Sequence, residues 1–183
     1  TAAAHGYAVV IQDVRGRYSS DGEFYTFINE IEDGYDSVEW VASQSWCDGK
    51  VGMYGSSYVG ATQWLSAKAI PPSLTCIAPG FTSSDYHNGW TWQNGAFSLG
   101  FNLSWSINNL TAANWDKLSQ QLFLPRRQLD LLIEANDQIS NALSFLPMRE
   151  LQDLEGGLAP YYYDWLDHPE YDGYWKKICI EES

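Results

Sequence analysis

Apolar runs and turn-forming clusters alternate along the first part of the chain and then give way to a different pattern. Residues 7–13, from Tyr7 through Val9, Val10 and Ile11 to Asp13, make a short continuous apolar run. A run of that length, rich in β-branched side chains, predicts a buried strand of a parallel sheet covered on both faces. Gly16, Ser19, Ser20, Asp21 and Gly22 follow and predict a loop at its carboxyl end. Asp33 or Asp36 is placed to cap a helix carrying Val38, Val41 and Trp46, which Cys47-Asp48-Gly49 stops. A second strand is expected at Val51–Tyr54, then Gly55-Ser56-Ser57-Tyr58-Val59-Gly60, then a helix to about Ala69 with Trp64 and Leu65 as its apolar contacts. Pro71-Pro72 ends that helix, and Cys76-Ile77-Ala78 reads as a third strand closed by Pro79-Gly80. The order strand–helix–strand–helix–strand implies consecutive right-handed βαβ units of an open parallel sheet.

Beyond residue 85 the pattern changes. Residues 86–106 are rich in Trp, Asn, Gly and Ser without a clear period. Over 112–145, Leu118, Leu122, Leu129, Leu132, Ile133, Ile139 and Leu143 recur at helical spacing, which predicts one long helix or two shorter ones broken at Pro125. Residues 147–178 mix Pro147, Gly156, Gly157, Pro160 and Pro169 with aromatics, so short helices joined by turns are expected there.

Composition narrows the function classes. Nine Trp, twelve Tyr and seven Phe among 183 residues, with 45% hydrophobic residues, exclude a disordered chain. A net charge of −13 argues against nucleic acid and anionic membrane surfaces, which need basic patches. No apolar run approaches the roughly 18 residues of a spanning helix. The start at Thr1-Ala2-Ala3-Ala4-His5 lacks the regions of a signal peptide, and the compartment stays open. With no initiator Met and a sheet left with bare edges, the sequence reads as cut from something longer. Cys47, Cys76 and Cys179 are sparse and include no CxxC spacing, so neither a disulfide framework nor a zinc site is expected, and buried thiols are. No metal or cofactor is implied.

The sharpest chemical feature is the junction strand–Gly55-x-Ser57-Tyr58-x-Gly60–helix. A serine on a tight strand-to-helix turn is the nucleophile-elbow arrangement. Small residues at Gly55 and Gly60 let the backbone fold sharply and the helix approach closely. Ser57 then stands at the positive end of a helix, and the Tyr58 N–H can donate to an oxyanion. Val59 occupies the second-glycine position of a strict GxSxG, with Gly60 one place later. The competing reading makes Ser56 or Ser57 an N-cap of the following helix. A serine nucleophile needs a base held by a carboxylate, in the order Ser…Asp…His for this elbow. Only His87 and His168 follow Ser57, and both read as structural or surface residues, although Asp164 and His168 at i, i+4 are spaced to touch.

The chain resembles the CocE/NonD group of α/β-hydrolases, the cocaine esterase and X-prolyl dipeptidyl peptidase relatives. The segment Gly6-Tyr7-Ala8-Val9-Val10-Ile11-Gln12-Asp13-Val14-Arg15-Gly16, with Ser20-Asp21-Gly22-Glu23-Phe24, is similar to one family motif. Trp46-Cys47-Asp48-Gly49-Lys50-Val51-Gly52-Met53-Tyr54-Gly55-Ser56-Ser57-Tyr58-Val59-Gly60 is similar to its elbow. Asn94-Gly95-Ala96-Phe97 and Ala159-Pro160-Tyr161-Tyr162, with Asp164-Trp165-Leu166 and His168-Pro169, extend the likeness to the far end.

This resemblance implies an α/β fold: residues 1–84 as a partial α/β-hydrolase core (parallel sheet with nucleophile elbow), 85–175 as an α-helical cap whose aromatic walls shape the acyl pocket, and 176–183 returning toward the core. It implies Ser57 as the acylated nucleophile and the Tyr58 N–H as one oxyanion donor. A tyrosine hydroxyl upstream of Gly6, and an Asp and a His downstream of Ser183, complete the site in the family. The reaction implied is hydrolysis of a small-molecule ester, or of an amide or X-Pro peptide, with no nucleic-acid or membrane partner. Val59 and Thr91-Trp92 stand where amino-ester hydrolysing relatives carry acids, which favours the plain esterase pattern. A non-catalytic module that kept the fold is the competing function.

Smaller features read as structural. Asp13 and Arg15 suit a salt-bridged turn, Asp21 and Glu23 a capped or solvated loop, Trp90, Trp92, Trp105 and Trp115 packing within the cap, and Tyr161-Tyr162-Tyr163 a core corner.

Overall fold

A computed structural model describes residues 2–144, 146–150 and 157–183. Helix α1, Glu30–Ala42, begins about one turn before an Asp33 cap would set it and about two before an Asp36 cap would, because Asn29 holds the N-cap position and Asp33 and Asp36 fall inside the helix. Strand β1, Val51–Ser56, leads through Ser57 into helix α2, Tyr58–Lys68. Strand β2, Leu74–Gly80, runs parallel to β1, with Gly52 opposite Cys76 and Ser56 opposite Gly80. It is longer than Cys76–Ala78, since Pro79 and Gly80 stay in register with Gly55 and Ser56. Helix α2 lies against α1 and against both strands, so the elbow is held on three sides.

Residues 7–13 do not form the expected strand. They run without regular structure, with Tyr7 at 70% and Ile11 at 92% exposure. An apolar β-branched run states a preference for burial, but a strand also needs a ladder partner. Among the described residues β1 pairs only with β2 and residues 7–13 join neither strand, so two parallel strands stand where three were expected. The thiols also differ from expectation. Cys179 is buried, but Cys47 is half-buried and Cys76 exposed, because the face of β2 that bears Cys76 is uncovered.

A tight hairpin follows, β3, Trp92–Gln93, against β4, Ala96–Phe97. Asn94 and Gly95 both have positive φ, as a two-residue hairpin turn with the right twist requires. Helix α3, Leu99–Trp105, then runs into a π-helical turn, Ser106–Thr111, and through a 3-10 turn into α4, Trp115–Gln121. The periodic leucine stretch resolves into α4, α5, Arg126–Asp137, and α6, Ile139–Leu143, with Pro125 immediately before α5. Helix α7, Pro160–Asp167, starts on proline, and α8, Gly173–Ile178, is capped by the Asp172 carboxylate accepting from the Tyr174 N–H at 2.9 Å. The turn expected at Gly156 lies outside the described residues.

One buried cluster joins the two ends of the chain. Phe27, Ala61 and Leu65 pack with Tyr86, Leu103, Ile107, Tyr161, Tyr162, Trp165 and Trp175. Polar fasteners reinforce it. The buried Arg17 guanidinium donates to the Asn109 carbonyl at 2.8 Å and the Leu110 carbonyl at 3.1 Å, two carbonyls of the π-helical turn. The Lys68 ammonium donates to the Cys179 carbonyl at 2.7 Å. No helix among the described residues is long and apolar enough to cross a membrane.

Leu65 is fully buried between α2 and the aromatic cluster, whereas Ile11 stands in the open. Leu65→Ala should therefore cost roughly 2–5 kcal/mol in urea unfolding, and Ile11→Ala less than about 0.5 kcal/mol. Equal costs would contradict this burial.

Candidate active site

Ser57 sits between β1 and α2 with φ 60 and ψ −128, a backbone conformation that side chains rarely tolerate. It occupies the N-cap position of α2, but its side chain makes no capping hydrogen bond, so the N-cap reading of Ser57 does not hold. Its hydroxyl is left toward solvent, the residue being exposed. The turn is closed by backbone bonds: the Ser57 N–H donates to the Gly80 carbonyl at 2.9 Å, and the Ser57 carbonyl accepts from Gly60 and Ala61 at 2.8 and 2.9 Å. Tyr58, the first residue of α2, has no place for its N–H in the helical ladder, so that donor is one of the free first-turn amides that make up the positive end of this eleven-residue helix.

Two glycines make the turn sterically feasible. Gly55 has φ +147, and a Cβ there would come within 2.5 Å of Val59 Cγ1. At Gly60 a Cβ would lie 2.9 Å from the Gly80 carbonyl oxygen, so α2 can approach the end of β2 only where no side chain intervenes.

Two side chains that the sequence reading passed over brace the elbow. Gln63 is fully buried on α2. Its amide nitrogen donates to the Gly55 carbonyl at 3.1 Å and the Val59 carbonyl at 2.8 Å, and its oxygen accepts from the Ala78 N–H at 3.0 Å. One carboxamide thus ties the end of β1, the first turn of α2 and the neighbouring strand. From the other side the Tyr58 hydroxyl donates to Glu30 Oε1 at 2.5 Å and accepts from the Phe27 N–H at 3.1 Å. Burial and the adjacent Glu30 push the Tyr58 phenol well above its usual range, so it stays a donor.

Aromatic rings line the approach to Tyr58. Its ring stacks on Phe27 at 5.4 Å and lies 6.3 Å from Trp105, which in turn contacts Trp90 and Phe101. The tryptophans Trp90, Trp92, Trp105 and Trp115 all pack within or against the buried cluster, as the packing reading expects. Tyr161 and Tyr162 are buried in it too.

The histidines are engaged elsewhere. His87 is buried, with Nε2 2.9 Å from the Pro169 carbonyl, which makes Nε2 the donor. His168 pairs its Nδ1 with Asp172 at 2.6 Å and stacks on Tyr174, rather than meeting the Asp164 side chain. Asp164 instead accepts from the Tyr25 hydroxyl at 2.5 Å. Arg15 pairs with Asp33 of α1, and Asp13 accepts from the Ser19 N–H at 3.2 Å, so both hold the loop. Among the described residues no three His, Cys, Asp or Glu converge as a metal site would require.

Replacing Gln63 by Leu keeps the volume and leaves the Gly55 carbonyl and the Ala78 N–H without this partner. Gln63→Leu should lower stability by roughly 2–5 kcal/mol, more than its loss of one side-chain amide on a surface would. A denaturant midpoint unchanged from the parent would show that the carboxamide braces nothing.

Comparison with known proteins gives the same direction. The family model for X-Pro dipeptidyl-peptidase (S15 family) matches residues 1–183. Cocaine esterase of Rhodococcus sp. (strain MB1 Bresler) is 38% identical over 179 residues, covering 97% of this chain and 31% of that protein. The crystal structure of an aminopeptidase from the marine sediment archaeon Thaumarchaeota archaeon superposes with a TM-score of 0.66 at 22% identity, covering 99% of this chain and 30% of that one, a likeness of fold. This chain therefore spans about a third of the length of the relatives it matches. With the family model matched from end to end, the chain belongs to the X-Pro dipeptidyl-peptidase (S15) family.

Proposed function

We propose that the protein containing this chain is a serine hydrolase that cleaves carboxylic esters through an acyl-enzyme on Ser57. The observation that carries the reading is the strained, exposed Ser57 at φ 60 between β1 and α2. Strain of this kind costs about 1–3 kcal/mol and persists where the surroundings over-determine it, as Gln63, Gly55 and the Tyr58 pair do here. In the proposed reaction the Ser57 hydroxyl adds to the ester carbonyl, the Tyr58 N–H receives the developing oxyanion, and the alcohol leaves. Water then releases the acid and restores the serine.

The proton acceptor is assigned to residues outside these 183, since His87 and His168 are occupied by Pro169 and Asp172. Trp105 lies 6.3 Å from the Tyr58 ring with Phe101 and Trp90 packed on it, and we assign the acyl group to this apolar cluster. An ester is favoured over a substrate with a free amino terminus, because Val59 rather than a carboxylate stands in the first turn of α2. No metal enters this mechanism.

The test is hydrolysis of a short-chain p-nitrophenyl ester by the polypeptide that carries these residues together with its triad acid and base. Ser57→Ala should lower kcat by at least about a thousandfold, the scale expected when a covalent nucleophile is removed. A rate unchanged in Ser57→Ala would sink the assignment. An Ala-Pro anilide should be cleaved far more slowly than the ester; the reverse preference would make the protein a dipeptidyl peptidase.

A further inference from the structure

Glu30 is 5% exposed, yet its partner is a phenol rather than a cation. Oε1 accepts from the Tyr58 hydroxyl, while Oε2 is buried without a hydrogen-bond partner. A carboxyl in such a place is a poor way to fill a core, because burying it charged or half-satisfied is costly. What it holds is the residue directly after Ser57. The Tyr58 ring is fixed between this carboxyl, the Phe27 N–H and the Phe27 ring, and its backbone begins α2.

We propose that Glu30 is a positioning residue for the Ser57 elbow, acting through the Tyr58 phenol to fix the first turn of α2 and the Tyr58 N–H. The proposal rests on the reading of Ser57 as nucleophile and adds a role for a side chain that never touches substrate. The charged and titratable groups that bear on the pair are Asp33 on the same helix, Tyr86 in the segment after β2, and Arg17 in the loop before α1. Burial raises the Glu30 carboxyl from its usual 4.5 to about 7, against the opposing pull of Tyr58 and of the Glu30 and Asn29 amides. Because the folded value lies above the unfolded one, the stability this carboxyl lends is whole below about pH 4.5. It declines as pH rises toward 7 and is gone above that.

The experiment compares Glu30→Ala, Glu30→Gln and Tyr58→Phe in the ester-hydrolysing polypeptide. Glu30→Ala and Tyr58→Phe should each lower kcat about tenfold with KM within about twofold, the effect of losing one buried hydrogen bond that orients a reacting group. The double variant should be no worse than either, as for two members of one network. Glu30→Gln keeps an acceptor and should recover most of the rate. The backbone amide resonances of Ser57 and Tyr58 supply a readout that needs no turnover. They should shift with a midpoint near pH 7 in the parent and hold still in Glu30→Gln. Should turnover survive Ser57→Ala, the hydrolase reading fails while these resonances still decide the coupling. Amide resonances indifferent to pH, or a kcat unmoved in both Glu30→Ala and Tyr58→Phe, would overturn the proposal.

Discussion

A serine held at φ 60 and ψ −128 is the constraint around which the rest of the first half is arranged. That backbone is disfavoured for any residue with a Cβ, so it persists only if neighbours leave it no alternative. The neighbours are specific. Gly55 and Gly60 remove side chains that would collide with Val59 and with the end of β2. Gln63 bonds three backbone groups across β1, α2 and β2, and the Tyr58 phenol anchors the first turn of α2 to Glu30 and Phe27. The cost of the strained turn, about 1–3 kcal/mol, is small beside what several buried hydrogen bonds of this kind lose when broken.

The aromatic half depends on the same turn from the other side. Phe27 stacks on both Tyr58 and Tyr86, and through Trp105 the contact continues to Trp165 and Tyr161. Rings at such distances add specific geometry to plain burial. The chain's heavy aromatic content therefore has a definite place: it joins the elbow to the helices after residue 85. Arg17 completes the junction by donating to two carbonyls of the π-helical turn. Such turns are rare.

Much of this was legible in the sequence, and all but one of the misses share one cause. The strand–serine–helix order, the Pro125 break and the burial of Tyr161 and Tyr162 follow from local pattern, because propensity and periodicity are local properties. Residues 7–13 read as a strand because their side chains favour one, but strand formation also needs a partner that local pattern does not contain. Gln63 and Glu30 were passed over for a related reason. A polar residue on a helix looks solvated until tertiary contacts bury it, and neither belongs to the elbow motif. Their signal was present in one respect: Gln63 lies on the turn after Val59, within reach of the carbonyl four residues back. The Asn94-Gly95 pair was a hairpin signal in plain view, since both positions of such a turn need positive φ. The engagement of His87 by Pro169, 82 residues away, was beyond local reading.

The central claim is that Ser57 carries the acyl group, and trapping that group tests it most directly. The polypeptide is mixed with an ester or an acylating phosphonate, quenched in acid, digested, and the modified peptide identified by mass spectrometry. One acyl or phosphonyl adduct per chain on Ser57, absent in Ser57→Ala, is the predicted result. An adduct on another side chain, or steady turnover with Ser57 unmodified, would contradict it.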